Sequence, residues 1–408
     1  MGFFDRFKKT PPSKDEFAQI YGKYLRDRRL VKDLQYDAEA FSFRIEGTMS
    51  HTMNLENIYR DYCGASKDER PNVLRRYCEV MKFEEVPESW ETVRGQLMPL
   101  VRPAGQYEAI RLGQLAEAGH TNGYDNLLFR SYSEDAISLI AHDREDSMMM
   151  VNKDTVEKWG VGYDEAWQAS LDNLRARSPE KTKRLDDGVI QCLWDDSYDS
   201  SRILLPDLLN RSGAGLDPVI MIPSRNILLL APANNPKAQE RMVDYARESM
   251  EKHGRFVSAL MYRYSGDRLA RHVPSEPATA RKLNDLRIGA LMPDYAQQRE
   301  LLEKADKKHG RDLFHANFKV FQRKSGGLVS VATVTKNSSG TIPKADIVVF
   351  TTLRQGADPE VKFVAWDDAV AIADGCLVRD EQYYPPRYRV EGFPAQDRLD
   401  AAPVAQLA

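Results

Sequence analysis

The densest group of side chains that could do chemistry holds three carboxylates within five positions: Asp195, Asp196 and Asp199. Carboxylate oxygens are the ligands that divalent cations such as Mg²⁺ prefer, and crowding of like charges raises at least one pKa, as acid–base catalysis requires. A structural use is also open, because Asp199 or Ser200 could cap the helix expected to follow, whose dipole favours negative charge. The spacing therefore predicts either a metal or ligand site or a solvated, helix-capping acidic turn.

A second candidate for metal binding or proton transfer is His142, which precedes Asp143, Glu145 and Asp146 in a short polar segment between two predicted strands. Imidazole titrates near neutral pH and is a frequent metal ligand. A histidine in a polar turn can equally be an ordinary loop residue. We therefore predict His142 in a hairpin turn, with a metal-binding or general-base role as the sharper alternative.

The C-terminal part of the chain offers a third constellation, in which Asp346 is followed by Glu360 and Lys362. Its order resembles the arrangement of restriction-type nucleases, where two acids hold Mg²⁺ and a lysine helps to activate water. An acid followed two residues later by lysine is also a frequent chance pattern, and no basic groove accompanies it. We expect no cofactor unless this site or the acidic turn binds Mg²⁺.

Tyrosine, proline and arginine alternate near the C-terminus, at Tyr383, Tyr384, Arg387 and Tyr388. Tyrosine and arginine are enriched where proteins bind one another, so this composition predicts a partly exposed surface for a protein partner. The alternative is an edge strand, or a C-terminal strap packed on its own domain.

Motifs that would name a nucleophile or a phosphate-binding loop are missing. The sequence has no GxSxG, no HExxH, no GxxxxGK[ST] and no GxGxxG after a predicted strand. Its four cysteines stand singly, without the close Cys and His spacing that holds zinc. These absences weaken the hydrolase, kinase and dehydrogenase interpretations, although a site assembled from distant residues stays open.

The balance of acidic and basic residues indicates which classes of binding partner to expect. The 408 residues include 58 Lys and Arg against 61 Asp and Glu, a formal net charge of −3 at pH 7. Nucleic-acid-binding proteins usually carry a strongly basic domain or stripe, so a nucleic-acid partner is not expected. No stretch approaches the roughly 18 apolar residues that cross a bilayer, and no apolar leader follows Met1. We expect a cytoplasmic protein with a protein partner and leave its oligomeric state open.

The elements that must position these residues alternate between short helices and strand hairpins. Tight hairpins demand antiparallel pairing, so the predicted class is α+β, with mixed and antiparallel sheets flanked by helices. The best-defined helix has Asn235 as its cap and Pro236 at its first position, whereas a later helix should be interrupted at Pro293. The predicted units are an N-terminal α+β unit (1–85), a central α+β unit (86–272), a helical linker (273–309), a β-rich unit (310–395) and a disordered tail (396–408).

Several segments between about residues 15 and 271 resemble an uncharacterised bacterial family, the YtpQ-like family. The segments are LMPLVRP at 97–103, SMMMVNKDTVEKWGVGYDEAWQASLDNL at 147–174, DDSYDSSRILLPDLL at 195–209, DPVIMIPSRNILLLAP at 217–232 and FVSALMYRYSGDRL at 256–269. They keep their order over roughly two thirds of the chain. The resemblance implies no catalytic motif, because that family has no established activity, and residues from about 310 to 394 lie outside it.

The sequence thus favours a non-enzymatic, cytoplasmic protein-binding or adaptor protein. The alternative is a metal-dependent hydrolase or a nuclease-like enzyme, built on one of the carboxylate groups above.

Overall fold

A computed structural model of the protein describes residues 11–31, 33–38, 41–46, 51–79, 89–119, 127–144, 148–253, 255–266, 268–354, 356 and 358–407. The chain divides into two compact units. Unit 1 comprises Met1–Gln96 with His142–Met149, and unit 2 comprises Leu97–Ala141 with Met150–Ala408. This division differs from the predicted one, in which the central and C-terminal parts of unit 2 are separate.

Unit 1 begins with a capped helix. Its elements are α1 (Lys14–Asp27), β1 (Asp33–Asp37), β2 (Ser42–Glu46), β3 (His51–Asn54), α2 (Glu56–Gly64), α3 (Arg70–Glu79) and α4 (Trp90–Val93). Ser13 Oγ accepts from the Glu16 backbone N–H while Glu16 accepts from that of Ser13, which satisfies two free donors at the start of α1. Phe17, Tyr21 and Leu25 of α1 are buried in an aromatic core, beside the antiparallel sheet β1-β2-β3.

The remaining elements follow in chain order. They are β4 (Leu97–Pro103), α5 (Ala104–Ala118), β5 (Phe129–Ser131), β6 (Ala136–Asp143), β7 (Met148–Met150), α6 (Lys153–Trp159), α7 (Tyr163–Ala176), β8 (Thr182–Arg184), β9 (Ile190–Cys192), α8 (Pro206–Asn210), β10 (Val219–Ser224), β11 (Ile227–Ala231), α9 (Pro236–His253), β12 (Met261–Ser265), β13 (Arg268–His272), α10 (Pro277–Lys308), β14 (Phe314–His315), β15 (Lys319–Gln322), β16 (Leu328–Thr335), β17 (Gly340–Pro343), β18 (Ile347–Thr352), β19 (Glu360–Ala365), α11 (Trp366–Ala373), β20 (Leu377–Asp380), β21 (Arg387–Val390) and α12 (Gln396–Ala401). Short 3₁₀ segments cover Arg94–Gln96, Asp186–Gly188 and Ser200–Leu204.

The central part of unit 2 is built on a six-stranded sheet of order β13-β12-β10-β11-β9-β8, whose pairings are all antiparallel. Helix α9 packs on it through Ala238, Met242 and Val243. The predicted cap of α9 is confirmed, because Asn235 Oδ1 accepts from the Ala238 backbone N–H at 3.1 Å. This apolar layer holds β12 in place, and β12 carries a tyrosine of the candidate site.

The C-terminal part of unit 2 has two four-stranded sheets, β14-β17-β21-β20 and β15-β16-β18-β19. The pairs β14–β17 and β16–β18 are parallel, and the other pairs are antiparallel. The predicted fold class, α+β with mixed and antiparallel sheets flanked by helices, is confirmed.

The segment predicted as an interrupted helical linker forms a single helix, α10, which continues through Pro293. The predicted break is wrong because tertiary contacts hold the helix together. Lys304 and Lys308 bind Glu117 of α5 at 2.7 and 2.9 Å, while Lys282 binds Glu240 of α9 at 2.8 Å. Packed between these helices, α10 is a central element of unit 2 and carries four residues of the candidate site, Arg287, Ala290, Leu291 and Asp294.

The tail predicted to be disordered is ordered as far as residue 407. Leu399 of α12 is buried in a core cluster, and the Ala405 backbone N–H donates to the Phe363 carbonyl of β19 at 2.9 Å. Its small side chains allow the chain to lie close against that strand. The prediction from composition was therefore wrong.

Candidate functional site

The acidic turn, which contains Asp195, Asp196 and Asp199, is held together by the buried side chain of Arg202. Arg202 is fully buried, and its guanidinium donates to both carboxylate oxygens of Asp196 at 2.8 and 2.6 Å, to Ser178 Oγ and to the Arg177 carbonyl. Burial acts to raise the pKa of Asp196, but the hydrogen bonds and charge of Arg202 hold it below its ordinary value. Asp196 is thus committed to an ion pair.

The predicted capping role of Asp199 is wrong. Residues Ser200–Leu204 form a 3₁₀ segment rather than the start of an α-helix, and Asp199 makes no side-chain cap bond to it. Asp199 Oδ1 instead accepts from the backbone N–H groups of Trp194 and Asp195, at 3.0 and 3.3 Å. Asp199 is fully buried rather than solvated, and burial raises its pKa. Asp195 is exposed, so the three carboxylates do not converge on one point.

His142 is not a loop residue. It is the last but one residue of β6 and fully buried, with Nε2 at 2.8 Å from Gln96 Oε1 and Nδ1 accepting from Arg144 at 3.4 Å. Both ring nitrogens therefore have hydrogen-bond partners, which leaves no lone pair for a metal. Glu145 and Asp146 lie outside the described residues.

The nuclease-like residues lie far apart. In the antiparallel pair β18–β19, Ile347 is opposite Ala365 and Thr352 is opposite Glu360. Asp346 and Glu360 therefore lie at opposite ends of the hairpin, roughly 17–20 Å apart at the ordinary rise of an extended strand.

Each of the three side chains has another partner. Asp346 accepts from Ser330 and Arg287, Glu360 pairs with Arg354, and Lys362 donates to the Asp400 carbonyl at 2.9 Å. A site for two acids and a lysine on one metal ion is thus not assembled here.

The tyrosine–arginine stretch is not an exposed edge, because β21 lies between β17 and β20. Arg387 is fully buried and donates to Gln298 Oε1 at 2.7 Å and to Thr341 Oγ1 at 3.0 Å. Tyr388 packs edge-on against Trp366. Tyr383 and Tyr384 are half-buried. The prediction of an exposed partner surface is wrong for Arg387, while Tyr384 belongs to a different site.

That site is a narrow cleft of about 30 Å³ in unit 2, built by residues from distant parts of the chain. Its polar lining consists of Glu134, Asp135, Arg287, Asp294 and the half-buried Tyr384. Its apolar lining is Pro103, Phe256, Ala259, Leu260, Ala290 and Leu291. Few polar groups set in apolar walls are typical of ligand pockets.

Asp135 forms the fixed side of the cleft. It lies one residue before β6, and the Ala104 backbone N–H at the start of α5 donates to its carbonyl at 2.9 Å. The carboxylate accepts from Ser258 Oγ at 2.7 Å and from the Tyr262 hydroxyl, and Ser133 Oγ is 3.3 Å away. Burial raises the pKa of Asp135 to about 6, although these hydrogen bonds oppose the shift.

Asp294 forms the open side. It follows Pro293 in α10 and is half-buried, and its carboxylate has no hydrogen-bond partner in the described part of the chain. Burial and the charge of Asp135 raise its pKa to about 6. A Cβ at Gly105 of α5 would stand 2.3 Å from Asp294 Oδ2, so only glycine leaves room for this carboxylate. Two carboxylates of raised pKa thus face one cleft.

The cations near the cleft are already used. Arg287 donates to Asp346 Oδ1 at 3.0 Å and to Asn284 Oδ1 at 2.8 Å, and Arg271 is 3.8 Å from Glu134. Asp135 and Asp294 make no ion pair with a described residue. The cleft is therefore an acidic pocket, in which three carboxylates face one arginine that is already paired with Asp346.

Sequence reasoning missed this pair because its members are 159 residues apart, one in a loop and one in a helix. The available signal was Asp294 itself, an acid next to Tyr295, which is buried in α10.

Within the described residues, no three or more histidine, cysteine, aspartate or glutamate side chains come together in a way that could hold a metal ion. None of the described helices is both long and apolar enough to cross a membrane. Comparisons with protein-family models, with curated proteins and with solved structures find no match to this chain. The resemblance to the YtpQ-like family accordingly stays a prediction.

Proposed function

We propose that the protein is a cytoplasmic protein-binding or adaptor protein whose acidic cleft receives a basic side chain of its partner. The observation that carries the proposal is the Asp294 carboxylate, which lies beside the carboxylate of Asp135 and has no hydrogen bond from a described group; both residues are half-buried. A desolvated anion without a partner is costly, and a cation is the ligand that relieves this cost.

The walls of the cleft favour lysine or arginine over a free metal ion. Phe256, Leu260 and Leu291 offer an apolar surface to an aliphatic stem, while the two aspartates receive the charged head. A cleft of about 30 Å³ admits the end of one side chain rather than a folded surface. Four free cysteines fit the reducing environment of the cytoplasm, which is part of this proposal.

Saturation-transfer NMR on the full chain tests the proposal, with Nα-acetyl-lysine amide and Nα-acetyl-arginine amide as probes. Nα-acetyl-norleucine amide serves as the uncharged control. We expect saturable binding of the charged probes alone, at least tenfold weaker in Asp294→Asn and unchanged in Asp358→Asn, an exposed acid outside the cleft. Because binding requires ionised carboxylates, affinity should rise as the pH increases through about 6. Equal binding of norleucine, or an unaffected Asp294→Asn variant, would refute the proposal.

A second candidate function is acid–base hydrolysis at the same two aspartates. Their pKa values of about 6 favour it, because a general acid or base works best near its operating pH. The cofactor expected under this alternative is Mg²⁺. Calorimetric titration of Mg²⁺ into the full chain separates the two functions: heats that disappear in Asp294→Asn support the enzyme, and their absence in the wild-type protein removes its metal-dependent form.

A further inference from the structure

A cavity of about 410 Å³ opens in the C-terminal part of unit 2, beside the turn that joins β15 to β16. Its lining includes Arg281 and Asn284 of α10, Arg323, Gly326 and Gly327 of the turn, and Asp346 just before β18. It shares no lining residue with the acidic cleft, so it is a separate site. Its volume falls within the ordinary range of ligand pockets.

Hydrogen bonds hold the turn against α10. Arg281 Nη1 donates to the Ser325 carbonyl at 3.3 Å, and the Leu328 backbone N–H donates to Asp285 Oδ1 at 2.7 Å. The two bonds join residues that are 44 and 43 positions apart in the sequence. The position of the Arg281 guanidinium beside the turn is therefore fixed by tertiary structure.

Gly327 allows the two arginines of the cavity to lie close to one turn. Its φ of +88° lies in the left-handed region, and a Cβ at this position would be 2.9 Å from Arg281 Cγ. The Gly327 carbonyl accepts from the Arg323 backbone N–H at 2.9 Å. Gly327 thus lies against both arginines, which line the same cavity.

Neither arginine has its charge neutralised. Among the described residues, the guanidinium of Arg281 binds only the Ser325 carbonyl, and that of Arg323 binds only the Gln406 carbonyl, at 2.8 Å. Neither makes an ion pair within the described part of the chain. A guanidinium has five N–H donors, so roughly four on each side chain stay available to a ligand.

The acid of the cavity lining does not supply the missing charge. Asp346 Oδ1 accepts from Arg287 at 3.0 Å, and its Oδ2 accepts from the backbone N–H and hydroxyl of Ser330, at 2.8 and 2.7 Å. Asp346 is thus already paired with a cation from outside the lining. Asp285, which holds the turn through Leu328, does not line the cavity. The cavity therefore keeps an excess of positive charge, which favours an anionic ligand.

We infer that this cavity binds the phosphate group of a small ligand. A phosphate group presents several oxygens and up to two negative charges, which two guanidinium forks bind at once. The Gly327 backbone N–H has no hydrogen-bond partner in the described chain and adds a neutral donor to the lining. A carboxylate is a weaker match, because its two oxygens fill one guanidinium and leave the second unpaired. The phosphate group belongs either to the free ion or to a phosphomonoester.

Isothermal titration calorimetry on the full chain tests the inference, with inorganic phosphate and ribose 5-phosphate as probes and chloride at equal ionic strength as reference. Malonate, a doubly charged dicarboxylate, is the control for charge alone. We expect saturable heats for at least one phosphate probe and at least tenfold weaker binding of malonate. Tighter binding of ribose 5-phosphate than of inorganic phosphate identifies a phosphomonoester as the ligand, whereas equal or weaker binding identifies the free ion.

Substitution of either arginine should weaken phosphate binding at least tenfold. Arg281→Met and Arg323→Met keep an unbranched apolar stem but remove the charge and the N–H donors. Arg211→Met, at an exposed arginine that pairs with Asp207 and does not line the cavity, is the matched control and should leave binding unchanged. Unchanged phosphate affinity in either cavity variant, or equal affinity for malonate, overturns the inference.

Thermal unfolding provides a second measurement. Excess phosphate should raise the melting temperature of the wild-type protein by several degrees above that in chloride, because a ligand that binds the folded state stabilises it. In phosphate-free buffer, Arg281→Met should melt close to the wild-type temperature, because Arg281 is exposed, so its loss of binding reports on the site rather than on the fold. Identical melting of the wild-type protein in phosphate and in chloride also overturns the inference.

Discussion

The acidic turn and the acidic cleft contain the same chemical groups and differ in what surrounds them. At the turn, Asp196 and Asp199 are neighbours in sequence, and their charges are answered by Arg202 and by backbone N–H groups. At the cleft, Asp135 and Asp294 come from distant segments, and no described cation pairs with them.

A high density of acidic residues in the sequence is therefore a poor indication that they form a ligand-binding site. The turn is crowded because short-range hydrogen bonds must shape a strand-to-helix junction, where Asp195 and Ser197 have positive φ. The cleft contains few carboxylates because removing each one from water costs free energy. A half-buried carboxylate without a hydrogen-bond donor indicates a ligand better than carboxylates that an arginine and backbone N–H groups already bind.

Replacing Arg202 by methionine is the strongest test of the difference between the turn and the cleft, because it removes the cation that pairs with Asp196. Arg202 is fully buried, so its loss leaves Asp196, Ser178 Oγ and the Arg177 carbonyl without their donor. We expect a loss of about 1.5–3 kcal/mol in the free energy of unfolding, less than for a fully buried pair, because the Asp196 side chain is 35% exposed. Urea unfolding measures it, and Arg211→Met, at an exposed pair, should change stability by less than about 1 kcal/mol. A similar small change in both variants would mean that the turn is not held by its arginine.

Removing the charge of Asp294 should stabilise the protein, whereas removing Arg202 should destabilise it. Its pKa is raised from 3.8 to about 6, so the folded state holds a proton that the unfolded state releases, and stability falls as the pH rises from about 4 to 6. Asp294→Asn should remove that fall and stabilise the protein at pH 7–8 by ~1–2 kcal/mol, a value discounted for its partial exposure.

Urea unfolding between pH 4 and 8 measures this effect, with Asp358→Asn as the control at an exposed acid. Destabilisation of Asp294→Asn at pH 8 would show that the carboxylate has a favourable partner in the folded protein. The contrast between the turn and the cleft would then fail.

The sequence predicted local structure far better than the site. The cap at Asn235 follows from its position before Pro236, and capping acts over a few residues. The predicted helix break at Pro293 is wrong because contacts along the whole of α10 outweigh the one hydrogen bond that proline removes. Asp135 and Asp294 meet only when β6 and α10 are packed, and neither has a local pattern that indicates the other.

The smallest expected effect concerns Asp195, an exposed member of the acidic turn. Its φ of +50° lies in the left-handed region, which glycine adopts at little cost and other residues adopt under strain. Asp195→Gly should therefore leave stability unchanged or raise it by up to about 1 kcal/mol, because the Asp195 backbone N–H still donates to Asp199 Oδ1. Both calorimetric Mg²⁺ titration and urea unfolding, with and without Mg²⁺, should be measured on this variant. A stability loss that appears only in the presence of Mg²⁺ would show that the Asp195 carboxylate holds a cation, and the turn would then be a second ligand site rather than a structural junction.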